Sequence, residues 1–285
     1  MSETDVHLGL RLNANKLYYA VSRKDKPGFA DHIGQIDFSF DILSAVLSRN
    51  QDTFSTVSDT IRKLVRQHDV TNTNMVLPPS SECWTIVPKA VQDEEDERYD
   101  YLNILTQGIG VQESEPEWYS LSNRDFKMLA IRQKKHLTSF ALMLSEEIDG
   151  QLYSDFEIGL KWLNAAGYRG SFMCVSSYDG VLGVSSYLLG KLRAATYISY
   201  DDIDDLPFLW LQYASHLSWI QGIHEQILVF GNNSDRISDV LGSYWDESSE
   251  IIVMDSLKKM NVEGDENTFS FPLEHAFPAI VLAAS

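Results

Sequence analysis

Residues 171–199, SFMCVSSYDGVLGVSSYLLGKLRAATYIS, indicate the fold of this chain most directly. Apolar, aromatic and β-branched residues fill three short runs, as they do in β-strands, and glycine marks the bends at residues 178–180 and 189–191. The stretch therefore predicts a meander of three strands joined by two tight turns.

A second meander of the same kind lies near the start of the chain. Residues 6–40, VHLGLRLNANKLYYAVSRKDKPGFADHIGQIDFSF, contain turn signals at residues 13–15 and 24–28. Helices and single strands follow each meander, so the sequence predicts an internally duplicated α/β protein. Gly167 is expected to end a helix over residues 155–166, which divides the chain into domains 1–167 and 168–285.

The other elements follow from hydrophobic spacing and from helix and strand breakers. Helices are predicted over residues 41–47, 53–69, 134–147, 155–166, 206–221, 235–245 and 272–284, with an acidic helix start at 93–98. Residues 136–144, HLTSFALML, are also compatible with a strand. Strands are predicted over residues 74–77, 82–87, 226–230 and 250–255, and a strand pair over 118–121 and 125–131. Residues 261–267 predict a polar connection. Each half thus becomes a meander followed by helix, strand, helix and strand, with helices flanking mixed sheets.

The charge of the chain excludes several classes of partner. It carries 41 acidic and 23 basic residues, a net charge of −18. Nucleic-acid binding needs a positive surface, and anionic membranes attract basic segments, so neither partner is expected. No run approaches the roughly 20 apolar residues of a membrane span.

Cysteine content and the first residues bear on the cellular compartment. Cys83 and Cys174 lie in predicted strands and are expected to be buried thiols, since two distant cysteines form neither a disulfide framework nor a zinc site. The acidic sequence MSETDVHLGL runs directly into a strand and lacks the features of a signal peptide. These features predict a cytoplasmic protein.

The second half contains an aromatic segment next to an acidic one. The aromatic residues between Trp210 and Trp219, together with Phe208, are predicted to lie mostly in the core. The alternative is an exposed groove for a partner peptide or helix. Residues 201–205, DDIDD, precede this helix, where acidic side chains favour the helix N-terminus. Such an acidic rim would favour a basic partner segment.

The order of elements resembles the actin-like, or ribonuclease-H-like, ATPase fold. Residues 75–88 resemble the strand–proline–strand element of PilM-like pilus-assembly proteins, and residues 156–168 the helix that leads into their second domain. Residues 227–245, ILVFGNNSDRISDVLGSYW, are similar to their adenosine loop and helix, and residues 277–285 to their terminal helix. Residues 191–217 resemble an uncharacterised bacterial family of actin-like fold.

The resemblance implies a nucleotide cleft, yet the chain departs from its motifs. Active ATPases of this fold carry an Asp-x-Gly-Ser/Thr turn in the first hairpin, where the carboxylate helps to hold hydrated Mg²⁺ and backbone N–H groups approach phosphate. Here that hairpin has Arg11 and no carboxylate at the turn, and residues 174–178 of the second meander lack the second Asp-x-Gly. The implied, vestigial cleft comprises Asp179, Gly180, Gly231, Asn232 and Ser234. Asn232 stands where a second glycine is usual. Because asparagine tolerates the left-handed conformation, the turn can survive while the pocket changes.

These departures predict a non-catalytic actin-like protein without catalytic residues, metal or cofactor. Its expected role is that of a cytoplasmic scaffold in a pilus- or secretion-type assembly, binding a peptide tail of a membrane-assembly component. The alternative is an ATPase or kinase that binds ATP and Mg²⁺ with relocated metal ligands such as Asp179 and Asp255. A two-metal nuclease is disfavoured, because Asp5, Asp37, Asp179 and Asp255 do not obviously converge and the charge repels the substrate.

Overall fold

Two sheets with the same strand order form the centre of the computed structural model, which describes residues 5–106, 110–121, 125–144, 149–264 and 271–284. The strands of the described ranges are β1 Val6–Asn13, β2 Lys16–Arg23, β3 His32–Asp37, β4 Asn72–Val76, β5 Glu82–Pro88, β6 Ser114–Ser120, β7 Phe126–Gln133, β8 Asp149–Tyr153, β9 Ser171–Tyr178, β10 Val181–Leu188, β11 Lys191–Ser199, β12 Gln226–Gly231 and β13 Glu250–Val253. The helices are α1 Ile42–Ser48, α2 Gln51–Gln67, α3 Lys89–Asp93, α4 Glu95–Leu105, α5 Lys134–Leu144, α6 Asp155–Ala166, α7 Leu206–His216, α8 Ser234–Leu241, α9 Leu257–Met260 and α10 Phe277–Ala284.

The duplication predicted from the two meanders is confirmed. The first sheet has the order β3-β2-β1-β4-β8 and the second the order β11-β10-β9-β12-β13. In both sheets, neighbouring strands of the meander are antiparallel. The other two strands of each sheet are parallel to the first strand of its meander, β1 or β9. Each half is therefore a mixed sheet of one topology, as the fold prediction requires.

The first half departs from the simple repeat at residues 79–133. This segment forms a third sheet of order β5-β7-β6, in which β7 is antiparallel to both neighbours. The pairing of the predicted strands at 118–121 and 125–131 is confirmed. The intervening turn at 122–124, the predicted helix end at 145–147 and residues 265–267 of the polar connection lie outside the described residues.

Helix α6 connects the two sheets and has the bounds that were predicted. Ser154 accepts a hydrogen bond from the N–H of Phe156, while Glu157 accepts from the N–H of Ser154, forming a capping box. Gly167 ends the helix with φ of 66°, a conformation that glycine adopts without strain.

Helix α10 returns from the end of the described chain to the first sheet. A Cβ on Gly9 of β1 would lie 1.9 Å from the carbonyl oxygen of Ala279, so only glycine permits this approach of helix and strand backbones. Helix α10 belongs to the predicted second domain but packs on the sheet of the first half. The division into domains 1–167 and 168–285 stays a prediction.

Several local predictions are wrong. The helix predicted over 206–221 ends at His216 and gives way to a short 3₁₀ turn, and the one predicted over 235–245 ends at Leu241. Cys83 is exposed, because side chains alternate between the two faces of a strand and Cys83 lies on the face of β5 away from the core. Cys174 is buried, as predicted. Phe208 is also exposed, whereas Trp210 lies in the core.

Among the described residues, no helix combines the length and apolar composition that crossing a bilayer requires.

Candidate functional site

The two hairpins of the duplicated fold meet at a junction, hereafter the hairpin junction, formed by the end of β1, the end of β9 and the loop 231–234. The side-chain amide of Asn13 donates to Oδ1 of Asn232 at 2.6 Å. Nδ2 of Asn232 in turn donates to Oδ1 of Asp179 at 2.7 Å. A chain of three polar side chains therefore spans the space between the first and second halves.

The structure brings some of the predicted site residues together. Asp179 and Asn232 are hydrogen-bonded, and the N–H of Asn232 donates to the carbonyl of Ser177 at 3.1 Å. Gly231 has φ of 100°, and a Cβ there would lie 2.2 Å from the carbonyl oxygen of Ser177. This glycine is therefore required by close backbone contact between β12 and β9.

The other predicted residues make local contacts. Ser234 donates its hydroxyl to the carbonyl of Gly231 at 2.8 Å, within its own loop. Gly180 occupies the β9–β10 turn with φ of 74°, and its carbonyl accepts from the N–H of Tyr200. In this loop Asn233, and not Asn232, adopts the left-handed conformation, with φ of 54°. The turn survives because asparagine tolerates this conformation, but one position later.

Arg11 is the central residue of the hairpin junction. It projects from β1, is fully buried, and donates from Nη2 to the carbonyl of Ser177 at 2.8 Å. Its Nη1 donates to the carbonyl of His275 at 2.7 Å, and its guanidinium carbon lies 4.5 Å from the centroid of the Tyr178 ring. The guanidinium thus joins β1 to β9 and to the turn before α10.

A buried carboxyl group lies on the other side of Tyr178. Asp155 accepts hydrogen bonds from the hydroxyl of Tyr178 at 3.0 Å and from the hydroxyl of Ser176. Burial raises the pKa of Asp155, while these hydrogen bonds and the charge of Arg11 act in the opposite direction. A buried cation and a buried acid therefore share Tyr178 as a common neighbour.

His275 completes the junction through its ring as well as its carbonyl. Nδ1 lies 2.9 Å from the hydroxyl of Tyr18. Burial, together with the charges of Arg11 and Lys16, lowers the pKa of His275 to about 4. Burial also raises the pKa of Tyr18 to about 12, so at neutral pH a protonated phenol and a neutral imidazole share this hydrogen bond.

Replacing His275 with asparagine is expected to remove a pH dependence of stability. The pKa of His275 is near 4 in the folded chain and near 6.5 in the unfolded one. Because the unfolded chain therefore binds a proton more readily, the stabilising contribution is complete above pH 6.5 and is lost as the pH falls towards 4. The full difference would correspond to about 3.4 kcal/mol, and we expect about 1–2 kcal/mol because the ring is only partly buried. Urea unfolding at about pH 7.5 and 4.5 measures it.

In that experiment the stability advantage of the wild type over His275→Asn should shrink at the lower pH. The exposed His216, replaced in the same way, serves as the control and should show no such change. An advantage that stays constant between the two pH values would contradict the assignment.

A second buried polar cluster links the three-stranded sheet to α6 and β11. Glu82 of β5 accepts from the hydroxyls of Tyr197, at 2.7 Å, and Ser154. Arg132 of β7 contacts it at 3.4 Å, and the same guanidinium reaches Glu157 at 3.3 Å. Burial raises the pKa of Glu82 despite these partners. The cluster couples the inserted sheet to the second half.

Sequence reasoning missed the roles of Arg11, Asp155, His275 and the Glu82 cluster. The sequence signal for Arg11 is a charged residue between Leu10 and Leu12 in an apolar strand, which by itself indicates only an unsuitable neighbour for a metal ion. Among the described residues, no group of three or more histidine, cysteine, aspartate or glutamate side chains is placed to hold a metal ion.

Comparison with solved structures identifies the class of fold. No model of a protein family matches the sequence, and no curated protein matches it. The chain is similar to a structure of the PilM–PilN type IV pilus biogenesis complex, with a TM-score of 0.66, 12% identity and coverage of 98% of this chain and 97% of that one. The chain has the actin-like ATPase fold, because one of two further similar structures is described as having that fold.

Those two structures have the same level of identity. The cytoplasmic domain of EpsL, an inner-membrane component of the type II secretion system of Vibrio cholerae, has a TM-score of 0.54, 12% identity and coverage of 90% and 93%. A Bacteroides thetaiotaomicron protein of actin-like ATPase fold and unknown function has a TM-score of 0.51, 12% identity and coverage of 88% and 91%. At such identity the likeness establishes the fold and leaves the activity to be argued from the site.

Proposed function

We propose that this chain is a non-catalytic actin-like protein, a pseudo-ATPase that serves as a cytoplasmic binding component of a pilus- or secretion-type assembly. The observation that carries this proposal is the position of Arg11. Active members of the fold use the facing hairpins to hold Mg²⁺ and phosphate, and here a buried guanidinium bonds both hairpin strands together.

The contacts and full burial of Arg11 hold its guanidinium between the two halves and away from solvent. Both terminal nitrogens donate to backbone carbonyls, of Ser177 and His275, and a face of the guanidinium lies on Tyr178. Phosphoryl transfer depends on positioning and on neutralising charge with metal ions. Arg11 donates to protein carbonyls, and β1 has no carboxylate beside it that could bind a metal ion. This site therefore supplies neither the positioning of phosphate nor the metal ions that phosphoryl transfer requires.

The alternative, an ATPase with relocated metal ligands, has less support. Asp179 accepts a hydrogen bond from Asn232 at 2.7 Å, and Asp255 forms an ion pair with Lys259 at 2.8 Å. Both carboxylates already have partners and lie on different segments. The alternative thus requires rearrangement of two existing contacts.

For the partner we propose a peptide tail of a membrane-assembly component, held in a cleft of the first domain. The similar structures include a PilM–PilN complex and a cytoplasmic domain of an inner-membrane component, which supports a protein partner of this kind. A net charge of −18 disfavours nucleic acid and direct insertion into an anionic membrane.

Titration with ATP and Mg²⁺ tests the proposal. We expect no heat of binding by calorimetry and no shift of the unfolding temperature at millimolar ATP. A Kd tighter than about 100 μM, which corresponds to about 5.5 kcal/mol, would contradict it and favour the ATPase. A working actin-like ATPase measured in the same buffer provides the positive control, and silence at millimolar ATP excludes the alternative.

A further inference from the structure

Helix α7 has one face in the core and an opposite face without a partner among the described residues. Leu206, Trp210 and Ala214 are buried against the second sheet. Phe208 is 70% exposed and Leu211 is 49% exposed. Residues three apart lie on the same side of a helix, so the two side chains form one apolar patch.

A groove of about 460 Å³ runs beside this patch, between the end of β11 and the first turn of α7. Its lining includes Tyr200, Asp201, Asp205, Phe208 and Leu209. The hydroxyl of Tyr200 donates to the carbonyl of Tyr178 at 3.0 Å. A lining residue of the groove is therefore hydrogen-bonded to β9, the strand that also contacts Arg11.

The rim of the groove is acidic and only partly neutralised. Arg236 pairs with Asp204 at 2.8 Å and approaches Asp202 at 4.0 Å. For Asp201 and Asp205, no ion pair is formed with any residue in the described part of the chain. Two free carboxylates thus flank an exposed phenylalanine in a protein of net charge −18.

We propose that this face binds a basic linear segment of a protein partner, with an apolar side chain seated against Phe208 and Leu211 and a lysine or arginine beside Asp201 and Asp205. Apolar anchors bury area while the acidic rim selects the charge of the partner. A second copy of this chain is disfavoured, because it would bring the same acidic rim against itself. The inference rests on the proposed function as a binding protein, and it adds a second binding surface, on α7 of the second half, to the first-domain cleft proposed above.

A synthetic leucine–lysine peptide of about 14 residues, with leucines at i, i+3, i+4 spacing, serves as the probe. Fluorescence anisotropy should show saturable binding to the wild type. Replacing Phe208 and Leu211 together by serine should weaken binding at least about tenfold. Replacing Asp201 and Asp205 by asparagine should weaken it about fivefold at low salt and reduce its salt dependence.

Helix α4 offers a matched control surface. Tyr101 and Ile104 lie three apart and are 38% and 66% exposed, and acidic residues fill the first turn of this helix. Replacing both by serine should change peptide affinity less than about twofold. Absence of binding to the wild type, equal affinity of the α7 variants, or an equal loss in the α4 variant would overturn the proposal.

Two further measurements separate the other outcomes. If light scattering shows a wild-type dimer that the Phe208→Ser, Leu211→Ser variant abolishes, the occupant is a second copy and the proposal fails. The ATP titration is run without peptide on the same protein. Nucleotide binding would overturn the proposed function, whereas the peptide measurements test the α7 surface independently.

Discussion

Replacing Arg11 with methionine is expected to lower the free energy of unfolding by about 3–5 kcal/mol. Methionine fills a similar volume but leaves the carbonyls of Ser177 and His275 without their donor. It also removes the cation near the fully buried Asp155. The loss falls at the contact between the two halves, so the unfolding transition should also become less cooperative.

Urea unfolding followed by circular dichroism at neutral pH measures the effect. Arg62→Met is the matched control, because that side chain is 46% exposed and pairs with Asp59 on its own helix. It should cost less than about 0.5 kcal/mol. Arg11→Lys keeps the charge without the two-pronged donor geometry and should lie between the two. Equal losses in Arg11→Met and Arg62→Met would show that Arg11 does not hold the junction.

Hydrophobic alternation and turn residues were sufficient to predict most of the fold. Both meanders were located correctly, because strand period and glycine bends are local signals. Strand β8 was missed, since Asp149, Gly150 and Gln151 have low strand propensity and the strand forms by pairing with β4. The sheet formed by residues 79–133 was anticipated strand by strand, but its separation from the first sheet depends on long-range packing.

The candidate site was less accessible from the sequence, because its contacts join distant residues. Asp179 and Asn232 were predicted to share a cleft from the resemblance, and they are hydrogen-bonded. The acceptors of Arg11 lie 166 and 264 positions away, and no local pattern specifies them. A lone arginine in an apolar strand signals a buried partner without indicating which one.

Replacing Arg132 with methionine is the second substitution expected to have a large effect. The guanidinium contacts three carboxylates, Glu82 at 3.4 Å, Glu117 at 2.6 Å and Glu157 at 3.3 Å. The side chain of Glu82 is fully buried, so removal of the cation leaves a charge in a site of low polarity. At neutral pH we expect a loss of about 3–5 kcal/mol.

Acid should partly restore the Arg132→Met variant. Burial raises the pKa of Glu82 above its ordinary value of 4.5, and loss of Arg132 raises it further. A carboxyl whose pKa is raised by folding stabilises the folded chain below the unfolded value and loses that contribution as the pH rises through the folded value. The free energy of unfolding that Arg132→Met loses relative to the wild type should therefore become smaller as the pH falls from about 8 to about 5.

The double variant Arg132→Met, Glu82→Gln distinguishes a buried charge from simple loss of packing. Glutamine can still accept hydrogen bonds from the hydroxyls of Ser154 and Tyr197, but it carries no charge. If the uncompensated carboxylate causes the loss, the double variant should be about 1–2 kcal/mol more stable than Arg132→Met at neutral pH. It should also lose the part of the pH dependence that comes from Glu82, while the part from Glu157 remains. A double variant no more stable than the single one would instead assign the loss to the packing of the arginine side chain against the inserted sheet.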